Sequence, residues 1–385
     1  MKIAHIVSYY NSAYKYQEYY LAAQQAKDGH EVYIITSDRN YPFIDYNNTA
    51  RSAFGPRRLK PGCSMENGVH IIRLSLILEY RTRVILKSFR KTIRHLSPEV
   101  LIIHGLMNFA ALSLLYCNIN AKLIFDDHML ISQVDRSLIG KMIYMIYRVF
   151  ITPQIIKKAT KVVAISEGCI PILNQFFGIP LDRISLIPLG ADDNLFSYSD
   201  KKRIEIRNRH VINLDSIVVI FTGKLIKRKG LEKISEALEI IDSEKKIHIL
   251  IVGSGSEEYK RELINTFNSR NHSFTIHPFV SSEELVGYFC AADIAVYPVE
   301  ATISTVEASS CSLPIICTNE IPERYKNGNG FGIEPGNIKQ LKEALFILIE
   351  DEELRKKMGR KGRELVENEL SWSKVSNNFL SSIEH

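Results

Sequence analysis

The sequence predicts an α/β protein built from two Rossmann-like domains that face each other across a cleft. Short runs rich in Ile and Val alternate with helical patterns, and this alternation stops near residues 188–198 and then starts again. Near-continuous apolar strands separated by helices are typical of parallel sheets covered on both faces. The chain has 385 residues, well above the roughly 150 of an ordinary domain. The predicted domains are residues 1–195 and 196–365, followed by a helical tail over 366–385.

The predicted strands are apolar segments bounded by polar or turn residues. In the first domain they span 2–8, 31–36, 69–74, 99–103, 121–125, 161–165 and 184–187. In the second domain they span 217–222, 247–252, 274–277, 293–297 and 314–317. Ligands of doubly wound sheets bind beyond the carboxyl ends of the strands, so we look for functional residues there and expect the site in the cleft.

The composition excludes several classes of protein. The chain is 45% hydrophobic and 24% charged, as in folded globular proteins and unlike disordered or fibrous ones. Its six cysteines are scattered without a Cys-x-x-Cys pair, which favours reduced thiols over disulfides or zinc sites. The N-terminus reads as a first strand rather than a signal peptide, and no uninterrupted apolar stretch reaches the ~20 residues of a spanning helix. We therefore expect a cytoplasmic protein.

The segment FTGKLIKRKG, residues 221–230, ends the first strand of the second domain. Gly223 and Lys224 follow the strand, and Lys229 and Gly230 precede an amphipathic helix. Two cations beside the positive end of a helix could hold a diphosphate. They could equally be solvated loop lysines, and the segment alone leaves both interpretations open.

Two further strand ends of the second domain carry candidate residues. The GSGSEE turn begins at Gly253 but lacks the third glycine of a dinucleotide fingerprint, which leaves a tight turn with exposed backbone. Ser304, Thr305 and Glu307 begin a helix, where they could cap it or bind phosphate oxygens and ribose hydroxyls.

In the first domain, two strands end in segments that contain histidine. His104 ends one strand, and Asp126, Asp127 and His128 follow the next. No second histidine lies three or four residues from His128, so we expect no metal site here. A histidine that acts as a general acid or base, or orients a hydroxyl, is one interpretation, and a structural hydrogen-bonded histidine is the other.

Several motifs, in order and with matching spacing, resemble those of the retaining nucleotide-sugar glycosyltransferases of family 4, which have the GT-B fold. The resemblance covers nearly the whole chain, and YQEYYLA (16–22) matches a bacterial subset associated with polysaccharide assembly. The fold implies that the C-terminal helix crosses back to the first domain. The motifs are GHEVYIITSD (29–38), IPLGADDNLF (187–196), GKLIKRKG (223–230), IVGSGSE (251–257), VEASSCSLPII (306–316) and NGNGFGIEPGN (327–337).

The resemblance implies a role for each candidate residue. Lys224 and Lys229 would hold the diphosphate of a nucleotide sugar without a metal ion, and His128 would contact the donor sugar near the reacting carbon. Glu307 would bind the ribose. No cofactor is expected, since the nucleotide sugar is a substrate, with UDP the first expectation by family habit and GDP the second. The other implied donor-binding residues are Gly223, Gly253, Pro278, Phe279, Glu300, Ser304 and Thr305, and those on the acceptor side are Tyr16, Gln17, Glu18, His104 and Asp127.

Three positions depart from the family pattern. The family has two glutamates with seven residues between them, and the first falls at Val299, next to Glu300. Either Glu300 serves after a one-residue deletion, or the loop recognises the sugar differently. The glycine-rich loop after the first strand is replaced by YNSAYKYQEYY (10–20), and Ser312 replaces the small residue of Gly-x-Pro.

Retaining members of the family lack an obvious nucleophile, and none is evident in this sequence. We therefore expect a front-face displacement. The acceptor hydroxyl would attack from the side of the leaving group, and the departing phosphate would take its proton.

The net charge is +6, and the excess of Lys and Arg lies in residues 1–195. RTRVILKSFRKTIR (81–94) is basic without an acid, and a second basic stretch with aromatic residues spans 141–158. Basic amphipathic helices can lie on anionic membranes, although ordinary helices with solvated charges are the alternative. We expect peripheral attachment to the inner leaflet and a saccharide acceptor that is lipid-linked. No nucleic-acid-binding motif accompanies the charge, so nucleic acid is not an expected partner.

Two other classes of function stay open. One is a non-catalytic nucleotide-sugar sensor or partner subunit, which the missing first glutamate favours and the retained Lys224, Lys229, His128 and Glu307 oppose. The other is a different enzyme on this fold. An epimerase would convert a nucleotide sugar without an acceptor, and a phosphorylase would need phosphate.

Overall fold

The protein is represented by a computed structural model, which describes residues 1–381 except 44, 81, 130–133, 135, 136, 271 and 301. The chain divides into two compact units. The N-terminal unit contains Met1–Pro188 together with the last helix from Val375 onward, and the C-terminal unit contains Leu189–Lys374.

The strands of the N-terminal unit include the apolar runs of its sequence. They are β1 (Lys2–Ile6), β2 (Glu31–Ser37), β3 (Gly62–Glu66), β4 (Val69–Leu74), β5 (Leu76–Tyr80), β6 (Arg83–Leu86), β7 (Val100–His104), β8 (Lys122–Asp127), β9 (Ala159–Ala164) and β10 (Ile184–Leu186). The main sheet has the order β10-β9-β8-β7-β1-β2-β4-β3. β3 runs antiparallel to β4 at the edge, and the other neighbours run parallel. β5 and β6 form a separate antiparallel hairpin.

The helices of the N-terminal unit include one long helical segment. α6 continues through a π-helical turn, Tyr147–Ile151, into α7, so that residues 138–158 are helical throughout. Among the residues described, no helix has both the length and the apolar character needed to span a bilayer. The helices are α1 (Gln17–Lys27), α2 (Tyr46–Thr49), α3 (Arg51–Phe54), α4 (Phe89–Leu96), α5 (Phe109–Leu112), α6 (Leu138–Ile146), α7 (Thr152–Lys158) and α8 (Ile170–Gln175).

The C-terminal unit has a parallel sheet of the same kind. Its strands are β11 (Ile217–Thr222), β12 (Ile247–Val252), β13 (Ser273–His277), β14 (Ile294–Val296), β15 (Ile315–Thr318) and β16 (Gly330–Ile333), in the order β13-β12-β11-β14-β15-β16. Every residue of β11 is buried, as expected for a central strand covered on both faces. The carboxyl ends of β11, β12 and β14 therefore lie side by side at one edge.

The remaining helices belong to the C-terminal unit except for the end of the last one. From Val375 onward the last helix belongs to the N-terminal unit, where the Ser376 hydroxyl donates to Asp28 at 3.4 Å. These helices are α9 (Asp200–Arg209), α10 (Glu232–Glu239), α11 (Glu257–Ser269), α12 (Ser282–Ala291), α13 (Ser304–Ser310), α14 (Ile338–Glu350), α15 (Glu352–Leu365) and α16 (Trp372–Ser381).

The predicted fold class, two Rossmann-like domains with parallel sheets, is confirmed. The prediction of one basic amphipathic helix over 81–94 is wrong, because Arg83–Leu86 is a strand and α4 begins only at Phe89. Val84 and Leu86 are buried whereas Ile85 is 41% exposed, which is the alternation of a half-buried strand. Arg81, at the start of that stretch, lies outside the described residues.

Candidate functional site

The loop after β11 carries a buried cation. Lys229 ends a 3-10 turn, Lys227–Lys229, and is only 4% exposed. A Cβ atom on Gly223 would lie 3.7 Å from the Lys229 ammonium nitrogen, so this charge sits beside the glycine at the strand end. Burial lowers the pKa of Lys229 to about 8, although the carboxylate of Glu300 opposes this. Burying a cation is costly unless an anion accompanies it, so this position favours an anionic ligand.

Three other charged side chains surround Lys229. The like charges of Arg228 and Lys224 contribute to its lowered pKa. Burial and the nearby Arg228 also lower the pKa of Lys224. Glu300, which is 9% exposed, pairs with Arg228. The cations outnumber this carboxylate, and the local charge is positive.

The turn after β12 packs directly on the β11 loop. A Cβ atom on Gly253 would lie 1.8 Å from the carbonyl oxygen of Gly223, so only glycine fits at this position. The amide of Phe279 donates to Ser254 Oγ at 3.0 Å, which joins the turn to the loop after β13. Phe279 follows Pro278 in that loop and is 63% exposed. The structure thus brings these predicted residues of three loops to one sheet edge.

The start of α13 is tied to the end of β11 by a buried tyrosine. The Tyr297 hydroxyl bonds with Thr222 Oγ1 at 3.0 Å and donates to the carbonyl oxygen of Ser304 at 3.1 Å. Thr305 is fully buried, and its hydroxyl donates to a backbone carbonyl one turn earlier. Burial raises the pKa of Glu307 to about 7, and a hydrogen bond with Ser304 opposes that rise. These residues therefore form a fixed rim beside the lysine loop.

In the N-terminal unit, the start of α1 carries three of the predicted residues. Tyr16 precedes the helix and is 44% exposed, whereas Gln17 and Glu18 are buried. Within the described part of the chain, nothing hydrogen-bonds to the Gln17 side-chain amide. Burial raises the pKa of Glu18, and the charges of His104 and His128 oppose this. The Glu18 carboxyl is therefore close to both histidines.

The ends of β7 and β8 bring two histidines to one aspartate. His104 Nδ1 lies 2.7 Å from Asp126 Oδ2, and His128 Nε2 lies 3.7 Å from Asp126 Oδ1. Burial by itself raises the pKa of Asp126, but the charge and hydrogen bonds of the histidines outweigh it and lower that pKa. The His128 side chain is 42% exposed. Partial burial lowers its pKa, but Asp126 and two further carboxylates outweigh this and raise it.

Asp127, predicted on the acceptor side, is a loop anchor in the structure. Its carboxylate accepts hydrogen bonds from the amides of Leu106 at 3.2 Å and Met129 at 2.9 Å. The loops that follow β7 and β8 are thereby held together, which fixes the backbone on both sides of His128.

His104, Asp126 and His128 also form a grouping whose ligand atoms lie within 4.8 Å of one another, close enough to consider a metal ion. Both ring nitrogens of His104 are already engaged, Nδ1 with Asp126 and Nε2 with His5 at 2.9 Å. A histidine whose two nitrogens both face protein partners has no free nitrogen to offer a metal. The arrangement therefore favours a hydrogen-bonded cluster.

Three residues of these sites had no predicted role. Asp126 and Arg228 belong to motifs in which the sequence predicts roles only for their neighbours. Tyr297 is the last residue of a predicted strand. An aspartate two residues before His128 and an arginine between two assigned lysines are signals that the sequence did contain. The bridge made by Tyr297 depends on strand pairing, which residue spacing alone does not reveal.

Models of two protein families match this chain. Residues 18–195 match the model described as "Glycosyltransferase Family 4". Residues 202–365 match the model described as "Glycosyl transferases group 1". Together the two matches include the candidate residues of both units, except for Tyr16 and Gln17.

Two curated proteins are similar to parts of the chain. The capsular polysaccharide biosynthesis glycosyltransferase CapM of Staphylococcus aureus is 26% identical over 245 residues, which are 59% of this chain and 63% of CapM. The GDP-mannose-dependent monoacylated alpha-(1-6)-phosphatidylinositol monomannoside mannosyltransferase of Corynebacterium glutamicum is 29% identical over 200 residues, 48% of this chain and 52% of that protein. The chain thus spans between half and two thirds of the length of these relatives.

A solved structure shares the fold over the whole chain. Anabaena Alr3699/HepE in complex with UDP superimposes with a TM-score of 0.72 over 100% of both chains, at 15% identity. At that level of identity the likeness concerns the fold.

Proposed function

This chain belongs to glycosyltransferase family 4, and on that premise we propose that it is a retaining glycosyltransferase. It moves a sugar from a nucleotide sugar to a saccharide acceptor in the synthesis of a cell-surface polysaccharide or glycolipid. The similarity to CapM, a capsular polysaccharide biosynthesis glycosyltransferase, supports this assignment of the pathway class.

The observation that carries the proposal is the buried ammonium group of Lys229. It lies beside Gly223 with Lys224 and Arg228 close by, at the edge where ligands of parallel sheets bind. A diphosphate would neutralise these charges, and no metal ion is needed to do so. Glu307 and the exposed Phe279 lie at the same edge, and we assign them to the ribose and the base.

The reaction we propose is a front-face displacement. The acceptor hydroxyl attacks the anomeric carbon from the side of the leaving diphosphate, the bond to the phosphate oxygen breaks, and that oxygen takes the proton of the hydroxyl. Lys224 and Lys229 stabilise the negative charge that develops on the diphosphate. Fixed charges aimed at such an oxygen typically contribute a factor of about 10²–10³ each to the rate. His128 orients the donor sugar.

The nucleotide we expect first is UDP, with GDP second. The Corynebacterium relative is named for its dependence on GDP-mannose, which supports keeping GDP among the ligands to be tested. The same relative acts on a phosphatidylinositol mannoside by its name, and this supports our proposal of a lipid-linked acceptor.

We also propose that the N-terminal unit attaches peripherally to an anionic membrane. One face of α6 and the turn after it is apolar and exposed, with exposed fractions between 42% and 85%. The opposite side packs inward through Tyr144 and Tyr147. This exposed face consists of Leu138, Ile139, Met142, Met145, Ile146, Val149 and Phe150.

The apolar face continues onto neighbouring elements. Tyr116, which is 60% exposed, donates its hydroxyl hydrogen to the carbonyl of Phe150. A depression lined by Ile85, Phe109 and Ser113 lies beside β6 of the β5–β6 hairpin, whose Ile77, Leu78 and Tyr80 are also exposed. Exposed apolar patches of this extent mark binding surfaces. The exposed Lys87, Arg90, Lys91, Lys141 and Arg148 border the patch, which favours an anionic bilayer as the partner.

A non-catalytic sensor would use the same donor site, and an epimerase would use it without an acceptor. The proposal therefore needs a binding step and a transfer step. The first experiment is calorimetric titration of the protein with UDP, GDP, ADP and CMP, beside the variants Lys229→Ala and Lys227→Ala. Lys227 is a matched control, since it is exposed and pairs with Glu262 at 3.0 Å.

We expect tight binding of one nucleotide that Lys229→Ala abolishes and Lys227→Ala leaves unchanged. Transfer of radiolabelled sugar from the matching nucleotide sugar to extracted membrane lipids then separates an enzyme from a sensor. Conversion of the sugar without lipid would indicate the epimerase instead. Equal binding by the wild-type protein and Lys229→Ala would refute the assignment of the diphosphate site.

A further inference from the structure

Side chains on three neighbouring strands form a chain of polar contacts that leads to His128. His5 on β1 and His104 on β7 lie edge to edge, with 2.9 Å between His5 Nδ1 and His104 Nε2 and 11° between the ring planes. His104 Nδ1 reaches Asp126 on β8 at 2.7 Å. At the other end, Gln25 of α1 presents its Oε1 at 2.8 Å from His5 Nε2.

The two ends of the chain determine where its protons lie. The ionised Asp126 and the amide oxygen of Gln25 both accept hydrogen bonds. Burial, helped by the charge of His104, lowers the pKa of His5 to about 3, so His5 is neutral with a single N–H. That N–H donates to Gln25, which leaves His5 Nδ1 as an acceptor. His104 therefore donates from Nε2 to His5 and faces Asp126 through Nδ1.

The consequence is a fixed Asp126 carboxylate. Its Oδ2 is held by His104, and its Oδ1 accepts from the amide of Gly105 at 3.1 Å. The same Oδ1 faces His128 Nε2 at 3.7 Å. The ring of His128 thus turns Nε2 toward Asp126.

We propose that His5, Gln25 and His104 are positioning residues, whose hydrogen bonds orient the Asp126 carboxylate that in turn orients the ring of His128. This inference rests on the proposed role of His128 at the donor sugar and adds the residues that prepare it. His5 and Gln25 are both fully buried, so neither can touch a ligand directly. Any effect of theirs on the reaction has to pass through His104.

The test uses His5→Gln and Gln25→Leu, which break the chain at two different bonds. Ring-nitrogen signals of His128 are recorded by long-range ¹H–¹⁵N correlation in protein labelled with ¹⁵N-histidine and assigned by their loss in His128→Asn. We expect these signals to shift in both variants. We also expect turnover to fall about tenfold while the nucleotide Kd is unchanged, because a misplaced group costs rate rather than nucleotide affinity.

His248→Gln is the matched control. His248 is a buried histidine of the C-terminal unit, with its nitrogens bonded to Ser273 at 2.8 Å and Thr275 at 3.0 Å. It should lose comparable thermal stability and leave both the His128 signals and turnover unchanged. If His5→Gln and Gln25→Leu leave the His128 signals in place, the proposal is overturned. It is equally overturned if His248→Gln reproduces their loss of turnover.

The NMR readout requires no substrate. A wild-type protein that transfers no sugar would therefore overturn the proposed function, while the shifts of the His128 signals would still decide whether His5 and Gln25 position that ring.

Discussion

The two units of this protein differ in the kind of group that each presents to a ligand or partner. In the C-terminal unit, Lys229 is buried among further cations, and Glu300, the carboxylate of that cluster, is paired with Arg228. In the N-terminal unit, the buried side chains of His104 and Asp126 pair with each other, and the exposed feature is the apolar outer face of α6. Under the proposed function, the difference teaches that one unit would bind a small anion, whereas the other would position a reacting group inside and offer a large apolar surface outside.

The largest effect expected from this comparison is on turnover. If His128 contributes to the reaction and not to nucleotide binding, His128→Asn should lower kcat by roughly 10²–10³, as for loss of one electrostatic contact in a transition state. The nucleotide Kd, measured by calorimetry, should stay unchanged. His95→Asn, on the exposed side of α4, is the control for loss of a surface histidine. A rise in Kd equal to the fall in kcat would place His128 in donor binding instead and break the contrast between the units.

The next effect concerns the outer face of the N-terminal unit. Met145→Glu/Val149→Glu removes two apolar side chains that are 60% and 59% exposed and adds two charges that anionic lipid repels. Burial of each such side chain is worth about 1 kcal/mol or more, so cosedimentation with phosphatidylglycerol-containing vesicles at low salt should weaken at least tenfold.

The matched control for this surface lies on the other unit. Phe346→Glu/Ile347→Glu changes an adjacent apolar pair of α14 that is 43% and 41% exposed. It should leave vesicle binding unaltered. Equal losses for the two double variants, or no binding by the wild-type protein, would remove the membrane from the proposal.

The core strands could be predicted from the sequence because a strand that is buried on both faces requires a continuous run of apolar residues. β12 and β11 begin and end at the predicted residues for this reason. β3 was not predicted, because its edge position leaves residues such as Cys63 and Met65 exposed, and β16 is short and rich in glycine. The prediction of a helix over 81–94 rested on the basic residues of that stretch. The alternation of apolar burial and exposure at Arg83–Leu86 is that of a strand.

The residues of the candidate sites also differ in whether the sequence could reveal them. Lys224 and Lys229 could be found from one local segment next to a strand end. The chain from Gln25 through His5 to His104 could not, because it depends on the lateral order of β1, β7 and β8 and on the packing of α1. The spacing of residues along the chain does not show which strands become neighbours in the sheet.

A third prediction uses the lowered pKa of Lys229. The diphosphate binds the charged form of this lysine, so binding raises its pKa from the value of about 8 that it has in the free protein. Affinity should be full below about pH 7 and should fall as the pH rises past 8, approaching a tenfold loss per pH unit. Calorimetry in buffers of different ionisation enthalpy should show proton uptake near pH 8. The variant Lys229→Arg, which stays charged, should flatten the profile, and an unchanged profile in that variant would assign the titration to another group.

The smallest expected effect tests whether a buried residue of the C-terminal unit also positions the candidate site of that unit. Tyr297→Phe removes the hydroxyl that joins Thr222 to the carbonyl of Ser304, which should cost about 1 kcal/mol of stability and raise the nucleotide Kd a few fold. Tyr147→Phe is the matched variant of the N-terminal unit, since its buried hydroxyl donates to the carbonyl of Leu106 at 3.1 Å. Both variants should lower the thermal unfolding midpoint by similar amounts. Only Tyr297→Phe should weaken nucleotide binding, because only that hydroxyl holds the start of α13 against the strand that leads to Lys229. If the two variants change the Kd equally, the rim of α13 does not need this bridge, and the nucleotide site depends on the lysine loop alone.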